Sequence, residues 1–204
     1  MYTISMTNRE RTKKFFTYLK PLWLFALVFF LALIIDLVTK HVFTGTQNQT
    51  LIPNFMSIHY HQNRGVAFGW LYGSQALIIS LTSIMIIAST IFYIIYRHRK
   101  IAKPSKYIQS TKHQRHMKRF LDTAFALFLA GALGNLVDRI FLGYVRDFIR
   151  LDFLNFPIFN LADVFINVGV ILLVTYFIIE FIKDWKKESK SKKLLLETEE
   201  GDKR

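Results

Sequence analysis

Four long apolar blocks constrain the fold of this chain more than any other feature of its sequence. They cover residues 21–43, 75–96, 120–142 and 161–182. At a rise of about 1.5 Å per residue, about 20 apolar residues cross a hydrocarbon core roughly 30 Å thick. Each block runs well past the roughly 10–14 apolar residues of an ordinary buried helix. The sequence therefore predicts an all-α integral membrane protein with four transmembrane helices.

The positions of the basic residues orient these helices. Three segments carry most of the Lys and Arg residues, with five in 1–20, nine in 97–119 and eight in 183–204. The other two loops, 44–74 and 143–160, hold only Arg64, Arg146 and Arg150. Because cytoplasmic loops are enriched in basic residues, we expect both termini in the cytoplasm and these two loops outside. Residues 1–20 then form a cytoplasmic arm, and residues 183–204 form a mixed-charge cytoplasmic tail that we expect to be a frayed helix end.

The overall charge and the absence of cysteine exclude several classes of function. A net charge of +13 would suggest a nucleic-acid partner for a soluble protein. Here the basic residues flank apolar blocks, so membrane topology explains the charge and no nucleic-acid partner is expected. The chain has no cysteine, which excludes a disulfide framework, a thiolate metal site and a cysteine nucleophile.

The first outer loop, 44–74, has more structure than a linker. Apolar residues alternate with polar ones from Met56 to His61, which is typical of a strand. Turn residues flank this stretch on both sides, Pro53-Asn54 before it and Asn63-Arg64-Gly65 after it. We expect a small β element on the outer surface, with the apolar stretch 66–71 dipping into the membrane interface.

Polar residues gather where the predicted helices reach the outer surface. The first block contributes Asp36 and Lys40, the third Asn135, Asp138 and Arg139, and the fourth Asn160 and Asp163, while the outer loops add Asn63 and Asp147. An ionisable group at membrane depth costs roughly 2.5–3.5 kcal/mol even on a lenient insertion scale. The sequence therefore predicts a functional cluster just inside the outer surface.

Most of these residues also have a purely structural interpretation. Asn160 fits a helix N-cap, and Asp163 fits an acidic residue of the first turn. Asn135 fits a hydrogen bond between two helices. Gly131 and Gly134 fit positions of close helix approach. Two neutralising ion pairs are also expected, Asp36–Lys40 and Asp138–Arg139.

Two carboxylates at one membrane face, Asp147 and Asp163, suggest acid–base chemistry. Two Asp side chains that share a proton hydrolyse amides without a covalent intermediate. One acts as a base on water, and the other polarises the carbonyl. Like charges a few Å apart cannot both ionise cheaply, so such a pair titrates as a unit.

Five sequence blocks together resemble the bacterial lipoprotein signal peptidase family, signal peptidase II, an aspartic membrane protease. They read Asp36-Leu-Val-Thr-Lys40, Asn63-Arg-Gly-Val-Ala-Phe68, Gly134-Asn-Leu-Val-Asp-Arg139, Gly143-Tyr-Val-Arg-Asp147-Phe148 and Phe159-Asn-Leu-Ala-Asp163. Any single block is a weak pattern. Their order, spacing and placement on four apolar blocks are together specific.

The resemblance implies a peptidase domain over 21–182, with a small extracytoplasmic β-cradle and a short surface helix. It implies Asp147 and Asp163 as the catalytic pair. Residues that contact substrate or hold the site would be Asn63, Asn135, Arg139 and Asn160, and structural positions would be Asp36, Lys40 and Asp138. The implied location is the bacterial cytoplasmic (inner) membrane, with the site near the outer face.

The same resemblance implies a substrate and an inhibitor. The enzyme would remove the signal peptide of a membrane-held prolipoprotein by cutting before its diacylglyceryl-modified cysteine. Membrane lipid and a globomycin-type inhibitor would be its other partners, and no cofactor or metal is expected.

Three alternatives remain open from the residues alone. A small transporter or proton-conducting protein would also place carboxylates in a membrane. A Ser–Lys enzyme could pair Lys40 with Ser57, and a metalloenzyme could use His59 and His61.

Overall fold

A computed structural model describes residues 22–65, 74–102 and 112–201, and most of them are helical. Four long helices are Leu22–Val42 (α1), Gln75–Ala102 (α2), Lys112–Leu142 (α3) and Leu161–Gly201 (α4). Each contains a stretch long and apolar enough to cross a membrane: Leu22–Val42, Gln75–Arg97, His116–Leu142 and Leu161–Lys190. The predicted set of four transmembrane helices is confirmed.

Helix α3 lies at the centre of the bundle. Of its most apolar stretch, 72% is buried, against 11% in each of the other three helices. Small residues allow this burial: Ala124, Ala126 and Ala130 are all 0% exposed. Gly169 of α4 lies so close to α3 that an added Cβ would be 2.7 Å from the backbone nitrogen of Phe128. The polar residues of α3 are therefore surrounded by protein rather than by lipid, which is the arrangement that they require.

An aromatic cluster joins the helices at the end of the bundle far from the strands. Tyr93, Leu121, Phe125 and Tyr176 form its buried core. The Tyr93 ring stacks on Phe25 with ring centroids 5.0 Å apart. Its hydroxyl donates to the buried carboxylate of Asp122 at 2.8 Å. This cluster fixes α2 to its neighbours through side chains that come from all four helices.

Three of the helices extend beyond the membrane-length blocks. Helix α2 continues to Ala102, α3 starts at Lys112, and α4 continues to Gly201, so much of the predicted 97–119 loop and 183–204 tail is helical. Lys, Arg and Glu are strong helix formers. Ion pairs at helical spacing, Lys183–Glu180 at 3.3 Å and Lys192–Glu188 at 2.9 Å, also favour the extension of α4. Apolarity therefore indicated the membrane-spanning part of each helix but not its end.

A small antiparallel sheet covers the other end of the bundle. Its strands are Gln49–Ile52 (β1), Met56–Asn63 (β2) and Val145–Leu151 (β3), in the order β1-β2-β3. The strand predicted near Met56 is confirmed, and the turn before it contains Asn54 at a φ of 59°. The sequence did not reveal β3. Since β2 and β3 belong to different loops, the sheet brings the two predicted outer loops together.

Some expectations fall outside these residues. The stretch 66–71, expected at the membrane interface, and the N-terminal arm 1–20 are not among the described residues. Within 22–65, 74–102 and 112–201 the regular elements longer than an isolated bridge are the four helices and three strands. The short surface helix implied by the family resemblance therefore stays a prediction.

Candidate active site

The polar residues predicted from the sequence meet where the helices reach the sheet. Asp147 lies on β3, and Asp163 lies in the first turn of α4. Asn63 is the last residue of β2, and Asn135 lies in the final third of α3. The site is thus assembled from two strands and two helices that are distant in sequence.

Asp147 is a buried carboxylate held by two side-chain amides. It is 1% exposed. Its Oδ1 accepts a hydrogen bond from Nδ2 of Asn160 at 2.6 Å, and its Oδ2 accepts one from Nδ2 of Asn63 at 2.9 Å. Burial, followed by the negative charge of Asp163, raises the pKa of Asp147 to about 7. Asp147 can therefore gain or lose a proton near neutral pH.

Asp163 is held by α4 and by α3. Its Oδ2 accepts from the backbone N–H of Asn160 at 3.1 Å, and its Oδ1 accepts from Nδ2 of Asn135 at 2.8 Å. In return, Oδ1 of Asn160 accepts from the backbone N–H of Asp163 at 3.0 Å. This reciprocal pair is a capping box. The structural interpretation of Asn160 as an N-cap is confirmed, and the same residue also contacts Asp147.

Two asparagines connect the two carboxylates. Nδ2 of Asn160 also donates to Oδ1 of Asn135, at 3.1 Å. Asn160 therefore contacts Asp147 and Asp163 directly, and Asn135 contacts Asp163 while also binding Asn160. The structure brings both candidate carboxylates into one network of hydrogen bonds.

Lys40 supports this network from α1. Its ammonium nitrogen lies 2.9 Å from Oδ2 of Asp36, 3.5 Å from Oδ2 of Asp138 and 2.9 Å from Oδ1 of Asn135. The ammonium donates a hydrogen bond to Asn135 and forms ion pairs with Asp36 and Asp138, which compensates for its complete burial. The expected Asp36–Lys40 pair is confirmed. Asp36 also accepts from the backbone N–H of Ala162 at 2.9 Å, which ties α1 to the start of α4.

The second expected ion pair forms with a different partner. Asp138 pairs with Arg146, with Nη2 of the guanidinium 2.7 Å from Oδ1, rather than with Arg139. Arg139 instead donates to the backbone oxygen of Gly65 at 3.2 Å. Consecutive helical residues point about 100° apart because a turn holds 3.6 residues. Asp138 and Arg139 therefore contact different neighbours, and Nε of Arg139 is buried without a partner among the described residues.

Two glycines of α3 allow this close assembly. A Cβ on Gly131 would overlap the backbone oxygen of Ala162, and a Cβ on Gly134 would overlap a carboxylate oxygen of Asp36. The predicted close approach of helices at these positions is confirmed. Ala162 directly precedes Asp163, and Asp36 binds the backbone N–H of Ala162, so both close contacts lie next to Asp163.

Two residues of the alternative mechanisms, Ser57 and His59, are engaged elsewhere. Ser57, the candidate partner of Lys40 in a Ser–Lys enzyme, donates to Oδ1 of Asp152 at 2.9 Å. His59 contacts the side chain of Asn48. Within the part of the chain that the structure describes, no three His, Asp or Glu side chains are arranged to hold a metal ion.

Comparison with known proteins identifies relatives along most of the chain. The family model described as signal peptidase (SPase) II matches residues 28–179. A lipoprotein signal peptidase of Staphylococcus haemolyticus is 36% identical over 158 residues, which is 74% of this chain and 86% of that protein. One of Lactobacillus johnsonii is 34% identical over 165 residues, 79% of this chain and 96% of that protein.

A solved structure agrees with these matches. It is described as a bacterial membrane enzyme. It matches this protein with a TM-score of 0.61 and 34% sequence identity, over 80% of this chain and 90% of the chain in that structure. The matched region contains all four membrane-length stretches in whole or in large part, together with the three-stranded sheet and the polar cluster. The chain belongs to the signal peptidase II family of membrane proteases.

Proposed function

We propose that this protein is an aspartic endopeptidase that removes the signal peptide from diacylglyceryl-modified prolipoproteins, cutting before the lipid-modified cysteine. The observation that carries the proposal is the shared network around Asp147 and Asp163. Asn160 contacts both carboxylates, and the charge of one raises the pKa of the other. The names of the relatives, lipoprotein signal peptidases, support the substrate class.

The chemistry follows from one proton shared by two carboxylates. Burial and the charge of Asp163 raise the pKa of Asp147 to about 7, which favours Asp147 as the holder of the shared proton and leaves Asp163 as the base. Asp163 takes a proton from water, the oxygen of that water attacks the scissile carbonyl carbon, and Asp147 donates its proton to the carbonyl oxygen. The tetrahedral intermediate then returns that proton to Asp147 and collapses, and Asp163 delivers its own proton to the leaving amine. Each Asp recovers its initial protonation state.

The remaining polar residues hold the pair and the peptide. Asn63 and Asn160 fix the two oxygens of Asp147, and Asn135 fixes one oxygen of Asp163. Arg139 donates to the backbone oxygen of Gly65, and the family resemblance implies that its guanidinium contacts substrate or holds the site. Asp36, Lys40 and Asp138 keep these residues in place from α1 and α3.

We place the protein in the bacterial cytoplasmic (inner) membrane, with both termini in the cytoplasm and the site near the outer face. The basic segments 1–20, 97–119 and 183–204 support this orientation. The site then lies at the level where the lipid of a prolipoprotein would sit in the outer leaflet, and the signal helix would enter laterally between the spans.

The alternative, a small transporter or proton-conducting protein, is not favoured by membership of a protease family. The polar residues of the site also gather at one end of the bundle. Helix α3 has no ionisable residue between Asp122 and Asp138. A conducting path would need such groups or water across that interval.

The test is cleavage of a synthetic diacylglyceryl-prolipoprotein by the purified protein in lipid. The same peptide without its lipid, and the variants Asp147→Asn and Asp163→Asn, are measured beside it. Asp152→Asn is the matched control. Asp152 is a loop carboxylate that binds Ser57 and Arg150, and it lies outside the network around Asp147 and Asp163.

We expect lipid-dependent cleavage by the wild type and by Asp152→Asn, and its loss in both site variants. EDTA should leave activity unchanged, and a globomycin-type inhibitor should abolish it. If either site variant retained most of the wild-type rate, the assignment of the catalytic pair would be wrong.

A further inference from the structure

We propose that Arg146 is a positioning residue that fixes the strand carrying Asp147 to helix α3. This inference rests on the proposed role of Asp147 as a catalytic carboxylate. Arg146 directly precedes Asp147 on β3, and its partner Asp138 lies near the end of α3.

Arg146 binds a single carboxylate through both its side chain and its backbone. Nη2 lies 2.7 Å from Oδ1 of Asp138, and Nε lies 3.2 Å from Oδ2. The backbone N–H of Arg146 also donates to Oδ2, at 3.0 Å. A forked guanidinium–carboxylate contact fixes orientation as well as distance. Because the third bond comes from the backbone, the peptide unit between Val145 and Arg146, one residue before Asp147, is fixed too.

The sheet pairs Arg146 with Gln62 but is irregular directly after Asp147. The pairing of β2 with β3 is regular from Met56 to Ile58 and shifts register before it resumes at His61, which pairs with Asp147. Such a shift locally disrupts the ladder of backbone hydrogen bonds. On the other edge, the backbone N–H groups of Phe148 and Ile149 both donate to the oxygen of Phe159, at 3.0 and 2.8 Å. The contact with Asp138 therefore supplies the attachment to α3 near the irregular point.

Arg146 also completes a row of four side chains with alternating charges. Asp36, Lys40, Asp138 and Arg146 are linked in this order by contacts of 2.9, 3.5 and 2.7 Å. Their side chains are 0%, 0%, 1% and 16% exposed. At one end of this row, Asp36 accepts from the backbone N–H of Ala162, which is beside Asp163. At the other end, Arg146 is beside Asp147. The four charges thus fix the backbones next to both carboxylates against one another.

A row of buried ion pairs also stabilises the fold, so the experiment must separate the positioning of Asp147 from folding. The variants are Arg146→Met, which removes the charge and the fork, and Arg146→Lys, which keeps the charge and loses the fork. The matched control is Arg150→Met, the same substitution on the same strand. Arg150 is 44% exposed and binds Asp152. All variants are assayed for kcat and KM on the lipid-modified substrate and for thermal unfolding.

We expect Arg146→Met to lower kcat by about 10- to 100-fold with KM changed less than about three-fold, because a displacement on the order of 1 Å is costly for chemistry. Arg146→Lys should recover part of kcat, and Arg150→Met should match the wild type. If Arg146→Met proves too unstable to purify, the decisive variant is Arg146→Lys, which should still lower kcat several-fold.

The proposal is overturned if the purified Arg146→Met variant, or Arg146→Lys in its place, keeps kcat within two-fold of the wild type. It is also overturned if KM rises as much as kcat falls. Failure of the proposed function gives a different result, because wild type and Arg150→Met would then cleave no better than Asp147→Asn.

Discussion

Asn160 and Asp163 cap the first turn of α4 reciprocally, with backbone N–H groups donating to side-chain oxygens at 3.0 and 3.1 Å. In such a box the acidic side chain ordinarily serves the helix alone. Here the second oxygen of Asp163 accepts from Asn135, and the amide of Asn160 donates to Asp147. The start of a transmembrane helix and the candidate active site therefore share the same two residues.

Two substitutions of Asn160 should separate these roles. Asn160→Ser keeps an oxygen that can cap the helix but loses the amide that donates to Asp147. The rate of cleavage should therefore fall at least about 10-fold, while the free energy of unfolding changes by less than about 0.5 kcal/mol. Asn160→Ala loses both the cap acceptor and the amide donor, so it should also lower the free energy of unfolding by about 0.5–2 kcal/mol. Cleavage rates and unfolding curves of both variants check this. Equal loss of stability in the two would contradict the separate role in the site.

The pH dependence of cleavage should report the shared proton. Burial, and then the charge of Asp163, raises the pKa of Asp147 to about 7, so Asp147 is protonated below that pH. If the mechanism needs that proton, kcat/KM should fall as pH rises through about 7.

The variant Asp163→Asn gives a second readout at the same group. Removing the neighbouring negative charge makes ionisation of Asp147 easier, so its pKa should fall. Infrared spectroscopy of the carboxyl C=O band can follow this titration in wild type and variant. A band that titrates at the same pH in both would show that the two carboxylates do not interact.

The sequence predicted the spans and the polar cluster because both depend on local properties. Apolar length predicts a membrane span, and a pair such as Asp36 and Lys40 is one helical turn apart. Depth along each helix then placed the polar residues of three helices at one level. These inferences need no knowledge of how the helices pack.

The sequence could not predict β3 or the partner of Asp138. Along β3, the buried polar residue Asp147 lies between Arg146 and the buried Phe148, which breaks the alternation that predicts a strand. Asp138 meets Arg146 only because the chain turns back after α3 at Gly143, which has a φ of 76°. Pairing through a turn depends on tertiary structure, whereas adjacency along the chain predicts Arg139 as the partner.

Close packing of α3 against α4 should be sensitive to a single methyl group. Gly131→Ala would drive a Cβ into the backbone oxygen of Ala162, next to Asp163. We expect a loss of about 1–3 kcal/mol in stability and a large loss of activity.

Gly45→Ala is the control for Gly131→Ala. Gly45 has a φ of 78° and open space around its Cα, so the cost there is backbone strain without a clash. Thermal unfolding and cleavage should show near-normal activity for Gly45→Ala. A Gly131→Ala variant with wild-type activity would mean that the helices can separate without moving Asp163.

The buried ammonium of Lys40 should be essential for stability. Lys40→Met leaves Asp36 and Asp138 without their common cation, and breaking a buried ion pair costs about 3–5 kcal/mol. Lys192→Met is the control, because the Lys192–Glu188 pair on α4 is exposed and such pairs contribute about 1 kcal/mol or less. Reversible unfolding in detergent measures both. Similar losses in the two variants would contradict a structural role for the Lys40 network.

The central position of α3 has a consequence for how the chain is made. Helix α3 carries four of the buried polar residues, Asp122, Asn135, Asp138 and Arg139. Some of their partners, such as Lys40, are synthesised earlier, but Arg146, Asn160 and Asp163 leave the ribosome only after α3. A nascent chain that ends after α3 would leave Asp138 without Arg146 and the side chain of Asn135 without Asn160 and Asp163, and incompletely paired polar groups in a membrane are costly. We therefore expect the third span to be held less stably before the fourth is in place, so a product truncated after α3 should be a less stable bundle than the full chain.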